Sequence, residues 1–176
     1  MLMLDLCAGL GGASQAMRDR GWQVVTLDID PRFDPDIVAD VREWSWCGDR
    51  PDLLWISPPC IDFARDHLPW ITTNGPPDMS IALAARRIVD ETPAGAWVVE
   101  NVVGALRWFR PVFGRPRHSQ RPYFLWGNFP PLGQPRIAGR KHKQSYSSTQ
   151  RAARSKIPYA ISEALAVAVE SQMVLL

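Results

Sequence analysis

Cysteine is scarce in this chain of 176 residues, and the three present, Cys7, Cys47 and Cys60, include no Cys-x-x-Cys spacing. An odd, scattered set excludes a disulfide framework and a structural zinc site as the source of stability. No stretch of about 18 apolar residues occurs, which excludes a membrane-spanning helix. The first residues are strand-like, without a basic leader or an apolar signal core, so a cytoplasmic setting with free thiols is expected. Acidic side chains are missing from residues 101–162, which hold twelve Lys or Arg, while the rest of the chain holds eight basic and eighteen acidic residues. The net charge of +2 hides this segregation. It predicts a basic face in 101–162 for a polyanion, which makes a membrane-buried or purely apolar partner a poor match. Trp108, Phe109, Tyr123, Phe124, Trp126 and Phe129 interleave with the charges; some are candidates for stacking on nucleic-acid bases, and most are expected in the core.

There is no internal repeat, and the length suits one domain over 1–176. Strand and helix signals alternate: strand 1–6, helix 13–20, strands 23–28, 36–38 and 53–56, helix 78–91, strand 97–100. This is the βαβ rhythm of an α/β fold with a mostly parallel sheet. Gly21 stops the first helix, and Pro93 with Gly95 stops the later one. Beyond Glu100, Pro111, Pro116, Pro122, Pro130, Pro131 and Pro135 break the chain into short pieces, leaving a strand at 123–126 and a final helix over 159–174. Residues 61–77, with Pro69, Gly75, Pro76 and Pro77, read as a long loop that serves as a lid.

Three segments carry chemistry. Met3-Leu4-Asp5-Leu6-Cys7-Ala8-Gly9-Leu10-Gly11-Gly12 is a strand entering a glycine-rich turn, a shape that lets backbone approach a nucleotide-like ligand. Asp52-Leu53-Leu54-Trp55-Ile56-Ser57-Pro58-Pro59-Cys60 is an apolar strand ending on a thiol. Val98-Val99-Glu100-Asn101-Val102 is another, ending on an acid. Ligands of open α/β sheets bind at the carboxyl ends of the strands. A thiolate there can add to an electron-poor ring carbon while a carboxyl group protonates the ring nitrogen that receives the charge.

In this order the three segments resemble the DNA cytosine-5 methyltransferase family, with its Asp-Leu-Phe-Ala-Gly-x-Gly-Gly turn, Pro-Cys nucleophile and Glu-Asn-Val strand end. The resemblance implies a Rossmann-like S-adenosyl-methionine-dependent methyltransferase fold, S-adenosyl-methionine as cofactor, no metal, and DNA as partner, single-stranded or with the target base flipped out. It implies that Cys60 attacks carbon-6 of cytosine, that Glu100 holds the ring nitrogen and amine, and that Arg121, or failing it Arg117, contacts the base oxygen. Asp5, Cys7, Ala8, Gly9, Leu10, Gly11, Gly12 and Ser57 would shape the methionine and sulfonium pocket. Asp28, with Asp30 as fallback, would take the ribose hydroxyls, Ile29 the adenine face, and Asp40 with Val41 the adenine amine. Pro59, Phe63 and Asn101 would surround the base, with Asn101 bracing the loop around Cys60.

The chain departs from the family pattern in several places. Cys7 replaces a Phe, Ile61 and Ala64 replace a Gln and a Ser beside the nucleophile, and Arg117-His118-Ser119-Gln120-Arg121 fits the Gln-x-Arg-x-Arg motif poorly. Only a short segment follows Gly127 where a large target-recognition domain is usual, so recognition would fall to 61–77, to the Lys141 region or to a separate recognition subunit. Where the family has Asn-Ser before the last helix, this chain has Arg154-Ser155. Ser155 would still join the cofactor site. Arg154, a substrate-side residue, would set a cation against a cationic cofactor, a conflict relieved if the transferred group carried a carboxylate. Two rival readings are an exocyclic-amine DNA methyltransferase, from Ser57-Pro58-Pro59, and a catalytically silent DNA-binding regulator on the same scaffold.

Overall fold

The computed structural model describes residues 1–64, 75–137 and 156–173. Its frame is a sheet of β1 (Leu2–Leu6), β2 (Gln23–Asp28), β3 (Ile37–Val38), β4 (Leu53–Ile56), β5 (Ala96–Val102), β6 (His118–Gln120) and β7 (Tyr123–Asn128). They lie in the order β3-β2-β1-β4-β5-β7-β6. The first five strands run parallel, β7 runs antiparallel to β5, and β6 closes a hairpin on β7. The helices are α1 (Gln15–Asp19), α2 (Ser80–Glu91), α3 (Leu106–Phe113) and α4 (Tyr159–Met173). No helix among the described residues is long and apolar enough to cross a membrane.

Strand alternation divides the core. Met3, Trp55, Val98 and Leu125 pack with Met17 of α1 and Ile161 and Leu165 of α4. Leu4, Leu6, Ile56 and Val99 point the other way, against Ala85 and Ile88 of α2 and Phe109 of α3. The strands are apolar nearly throughout because both faces are covered. Polar residues gather where they end: Asp28 closes β2, and Ser57 and Cys60 follow β4, while Asp5 and Thr26 are buried polar groups within β1 and β2. Glu100 and Asn101 come near the end of β5.

The sequence reading locates β2 and β4 at their observed bounds and places the other expected strands within a few residues. It misses α3 and β6. Pro111 signals a break, yet α3 accepts it, because its missing N–H deletes one bond of a helix already begun at Leu106. β6, a short polar edge strand, has no apolar alternation to announce it. Residues 65–74 of the expected lid, and 138–155 with Lys141, Arg154 and Ser155, lie outside the described residues.

Candidate active site

After β1 the chain turns with Cys7, Gly9 and Gly11 all in the left-handed region, at φ 56°, 51° and 62°. Cys7 is the strained member, since a side chain there costs about 1 kcal/mol or more. Hydrogen bonds hold the turn: Ala8 N–H donates to the Leu27 carbonyl (3.1 Å) and Gly11 N–H to that of Ala8 (2.9 Å). Asp28 accepts from Gly9 N–H and from Asp30 N–H, both at 2.9 Å, so its carboxylate ties the first turn to the second strand's end.

Gly12 serves a different purpose from the ligand approach its motif suggests. A Cβ there would sit 2.6 Å from the Ile157 amide nitrogen and from Lys156 Cγ, so the missing side chain admits the chain just before α4. The same helix completes α1, whose Ala16 N–H donates to Ser162 Oγ (3.1 Å) while the Ser162 hydroxyl donates to the Ala13 carbonyl (2.6 Å). A side chain 146 positions away thus satisfies a donor that α1 leaves open at its start.

The surroundings of this turn are acidic. Asp5 is 1% exposed, and burial pushes it up to about 7, opposed by hydrogen bonding from Ser14 and by the charge of Arg18. The Cys7 thiol is pushed up to about 12 by burial and by the charges of Asp28, Asp5 and Asp40. A cation is the complement of such a place. Asp40 is held low, at about 2, by Arg42, whose Nε lies 3.0 Å away, so an adenine amine would share that carboxylate with a guanidinium. Asp30 is paired in the same way with Arg32 and caps the 3-10 turn Pro31–Phe33. Ile29 and Leu10 are exposed and Val41 is buried.

The second half of the site lies at the ends of β4 and β5. Ile56 pairs with Val99, which brings Ser57 level with Glu100. Asn101 Nδ2 donates to the Pro58 carbonyl (2.9 Å) and its Oδ1 accepts from Val102 N–H (2.9 Å), bracing the segment that carries Cys60. Pro59 is exposed. Phe63 and Ala64 N–H groups return to the Cys60 carbonyl at 3.1 and 2.9 Å, and the Phe63 ring packs edge-on against Phe109 at 5.1 Å. The Cys60 thiol, half-buried, is pushed up to about 11 by burial and by Glu100. Glu100 is 7% exposed, and burial raises it to about 7 against a lowering hydrogen bond from Ser57. Ser57, expected among the cofactor contacts, has its hydroxyl between Glu100 and the Trp55 indole.

Sequence reasoning missed Gly104. A Cβ there would lie 1.7 Å from the Phe63 carbonyl oxygen, so β5's continuation and the turn after Cys60 meet backbone to backbone. Its only signal was a glycine two places past the Glu-Asn-Val motif. Gly104→Ala is expected to cost about 1–3 kcal/mol and to displace the turn. Thermal unfolding, together with the alkylation rate of Cys60, checks it.

Of the two candidate arginines, Arg121 occupies the turn between β6 and β7, beside the pair Val102 and Tyr123 at the carboxyl end of β5. Arg117 turns elsewhere, its guanidinium 5.7 Å from the Phe129 ring centre. It lines a groove of about 940 Å³ between 128–136 and α4, at the amino end of β5 beside Gly95. Most of the aromatics interleaved with the basic residues are core, as expected. Phe109, Tyr123, Phe124, Trp126 and Phe129 are buried and build the core. Trp108 is half-buried, with Arg107 4.8 Å above its ring, and Arg107, Arg110, Arg115 and Arg121 are exposed.

No family model matches the sequence, and no curated protein matches it. Among solved structures, the chain resembles a protein described as a DNA modification methyltransferase encoded within a prophage of E. coli, at 18% identity and TM-score 0.51, over 73% of this chain and 46% of that one. It also resembles a TehB-like SAM-dependent methyltransferase from Corynebacterium glutamicum, at 16% identity and TM-score 0.45, over 72% and 77%. A third is S. pombe Dnmt2 methyltransferase, at 15% identity and TM-score 0.45, over 89% and 56%. The chain spans about half the length of the prophage protein. The fold is the Rossmann-like α/β fold of S-adenosyl-methionine-dependent methyltransferases, with a mostly parallel seven-stranded sheet.

Proposed function

We propose that this chain is a DNA (cytosine-5) methyltransferase that works through a covalent Cys60 adduct. The observation that carries the reading is the meeting of Cys60 and Glu100 at adjacent strand ends, close enough for the acid's charge to raise the thiol. Beside them lies the acidic cluster of Asp5, Asp28 and Asp40. That cluster fits a sulfonium cofactor: the buried Asp5 carboxyl would meet cationic charge, and Asp28, Ile29, Asp40 and Val41 would hold the nucleoside. When bound, S-adenosyl-methionine supplies the methyl group.

The protein's own residues do the rest. Cys60 Sγ loses its proton to water and bonds carbon-6 of the pyrimidine, and the ring electrons move toward carbon-5 and N3. Glu100 in its neutral form donates a proton to N3 and accepts from the exocyclic amine. After transfer, loss of the carbon-5 proton expels Cys60 as thiolate and the proton on N3 returns to Glu100. A thiol near 11 is almost fully protonated at neutral pH, so the nucleophile forms only with the substrate in place, and Arg121 at the same edge is the cation that would favour it. Carbon-6 is out of reach in a stacked duplex, so the base must be flipped out or single-stranded. Residues 1–176 act as one catalytic unit in this reading, and the exposed arginines of α3 and the β6–β7 turn follow phosphates.

The test is nucleoside mass spectrometry, with retention standards, on DNA and on RNA incubated with the protein and S-adenosyl-methionine. 5-Methylcytosine in DNA, with a covalent complex on 5-fluorocytosine DNA, is the expected result. N4-methylcytosine without an adduct would overturn it in favour of exocyclic-amine transfer.

A further inference from the structure

Asp40 and Val41 stand on a turn that leaves the sheet. Ala39 N–H donates to the Asp28 carbonyl (3.1 Å), and the chain then turns with Glu43 N–H on the Asp40 carbonyl (3.0 Å). Asp40 Oδ1 accepts from Arg42 N–H at 2.9 Å, so the carboxylate is fixed by the turn that follows it. The other carbonyls of this segment need donors, and one side chain supplies them. Arg87, near the end of α2, reaches back 46 positions: its Nη2 donates to the carbonyls of Val41 (3.3 Å), Arg42 (3.3 Å) and Trp44 (2.8 Å). Its Nη1 donates to Ser45 Oγ (2.9 Å) and to Glu91 Oε2 (2.6 Å).

We infer that Arg87 is a positioning residue for the adenine end of the cofactor site: by gathering three carbonyls of the segment 41–44, it sets the turn from which Asp40 presents its carboxylate to the adenine amine. This rests on the reading of Asp40 and Val41 as the adenine contacts. A planar fork with five donors suits a fan of acceptors, and an ammonium group does not span it. Glu91, one helical turn on, holds the fork from its other side. Val41 is buried in the same core cluster as Ala85 and Ile88 of α2, so the turn lies against the helix that carries Arg87. The effect of Arg87 on the cofactor therefore passes through backbone.

The experiment measures calorimetric binding of two unreactive ligands, S-adenosyl-homocysteine and S-inosyl-homocysteine, whose base has a carbonyl oxygen in place of the exocyclic amine. Wild type should prefer the adenosyl ligand by about tenfold or more, the worth of a hydrogen bond to a carboxylate. Arg87→Met should shrink that preference to about threefold or less, mainly by weakening the adenosyl ligand. Arg87→Lys, which keeps the charge and loses the fork, should fall between. Both ligands weakened alike in Arg87→Met, with the preference kept, is the mark of a merely structural role and overturns the inference. If Arg87→Met does not fold, a wild-type preference in Arg87→Lys overturns it instead. Equal binding of the two ligands by wild type overturns the placement of adenine at Asp40, and the inference falls with it.

Discussion

Cys60→Ala is expected to reduce methyl transfer by about 10⁴-fold or more, because removing a covalent nucleophile removes the route itself and not one contribution to it. S-adenosyl-methionine affinity should stay within a few fold, since the Asp5, Asp28 and Asp40 pocket is built on β1, β2 and the segment after β3. Glu100→Gln keeps the shape and hydrogen-bonding reach but has no proton to give, and should lose about 10²–10⁴-fold. Cys47→Ala, at an exposed thiol away from both strand ends, serves as the unaffected control. Single-turnover transfer of a labelled methyl group, beside calorimetric cofactor binding, measures both halves. Equal loss in both quantities for Cys60→Ala would show a collapsed site and not a missing nucleophile.

The second large effect is on stability without cofactor. Asp5 and Glu100 ordinarily titrate at 3.8 and 4.5, and burial raises each to about 7 in the folded protein. Between these values the native state binds more protons than the unfolded chain, so stability falls as the pH rises from about 4 through 7 and then levels. The loss is on the order of 3 kcal/mol for each group. Asp40 and Glu170, held at about 2 by Arg42 and Arg20, act in the opposite sense but only below about pH 4.5, outside this window. Melting temperature measured across pH 4.5–8.5 should therefore decline, and Asp5→Asn and Glu100→Gln should each flatten the decline. S-adenosyl-methionine should restore more stability at pH 8 than at pH 5, because an ionised Asp5 binds a cation and a neutral one does not. A flat profile in the wild type would mean that the fold holds neither Asp5 nor Glu100 in its neutral form.

Most of the site's frame was readable as composition changing along the chain. Apolar runs stop at Asp28, Ser57 and Glu100, where β2 and β4 end and where β5 runs on past its parallel pairing with β4. What the sequence hid were contacts between segments far apart in it. Gly12 belongs to a nucleotide-turn motif, yet its bare Cα faces Ile157. Gly104 has no motif, yet it permits the turn that carries Cys60. Arg117 and Arg121 have the same chemistry, and only the hairpin decides that one lies at the carboxyl edge and the other over Phe129. Most of the aromatics among the arginines were expected in the core, and β7 with the depth of α3 buries five of the six, leaving Trp108 half-buried.

The bond network between Ser162, Ala13 and Ala16, with Ile157 seated on Gly12, has a consequence in time. The serine that clamps α1 is made 146 residues after the alanine it holds. A growing polypeptide can pair β1 with β2 and β4 early. The glycine turn takes its final shape only when α4 docks, so a chain cut before α4 should not hold S-adenosyl-methionine there.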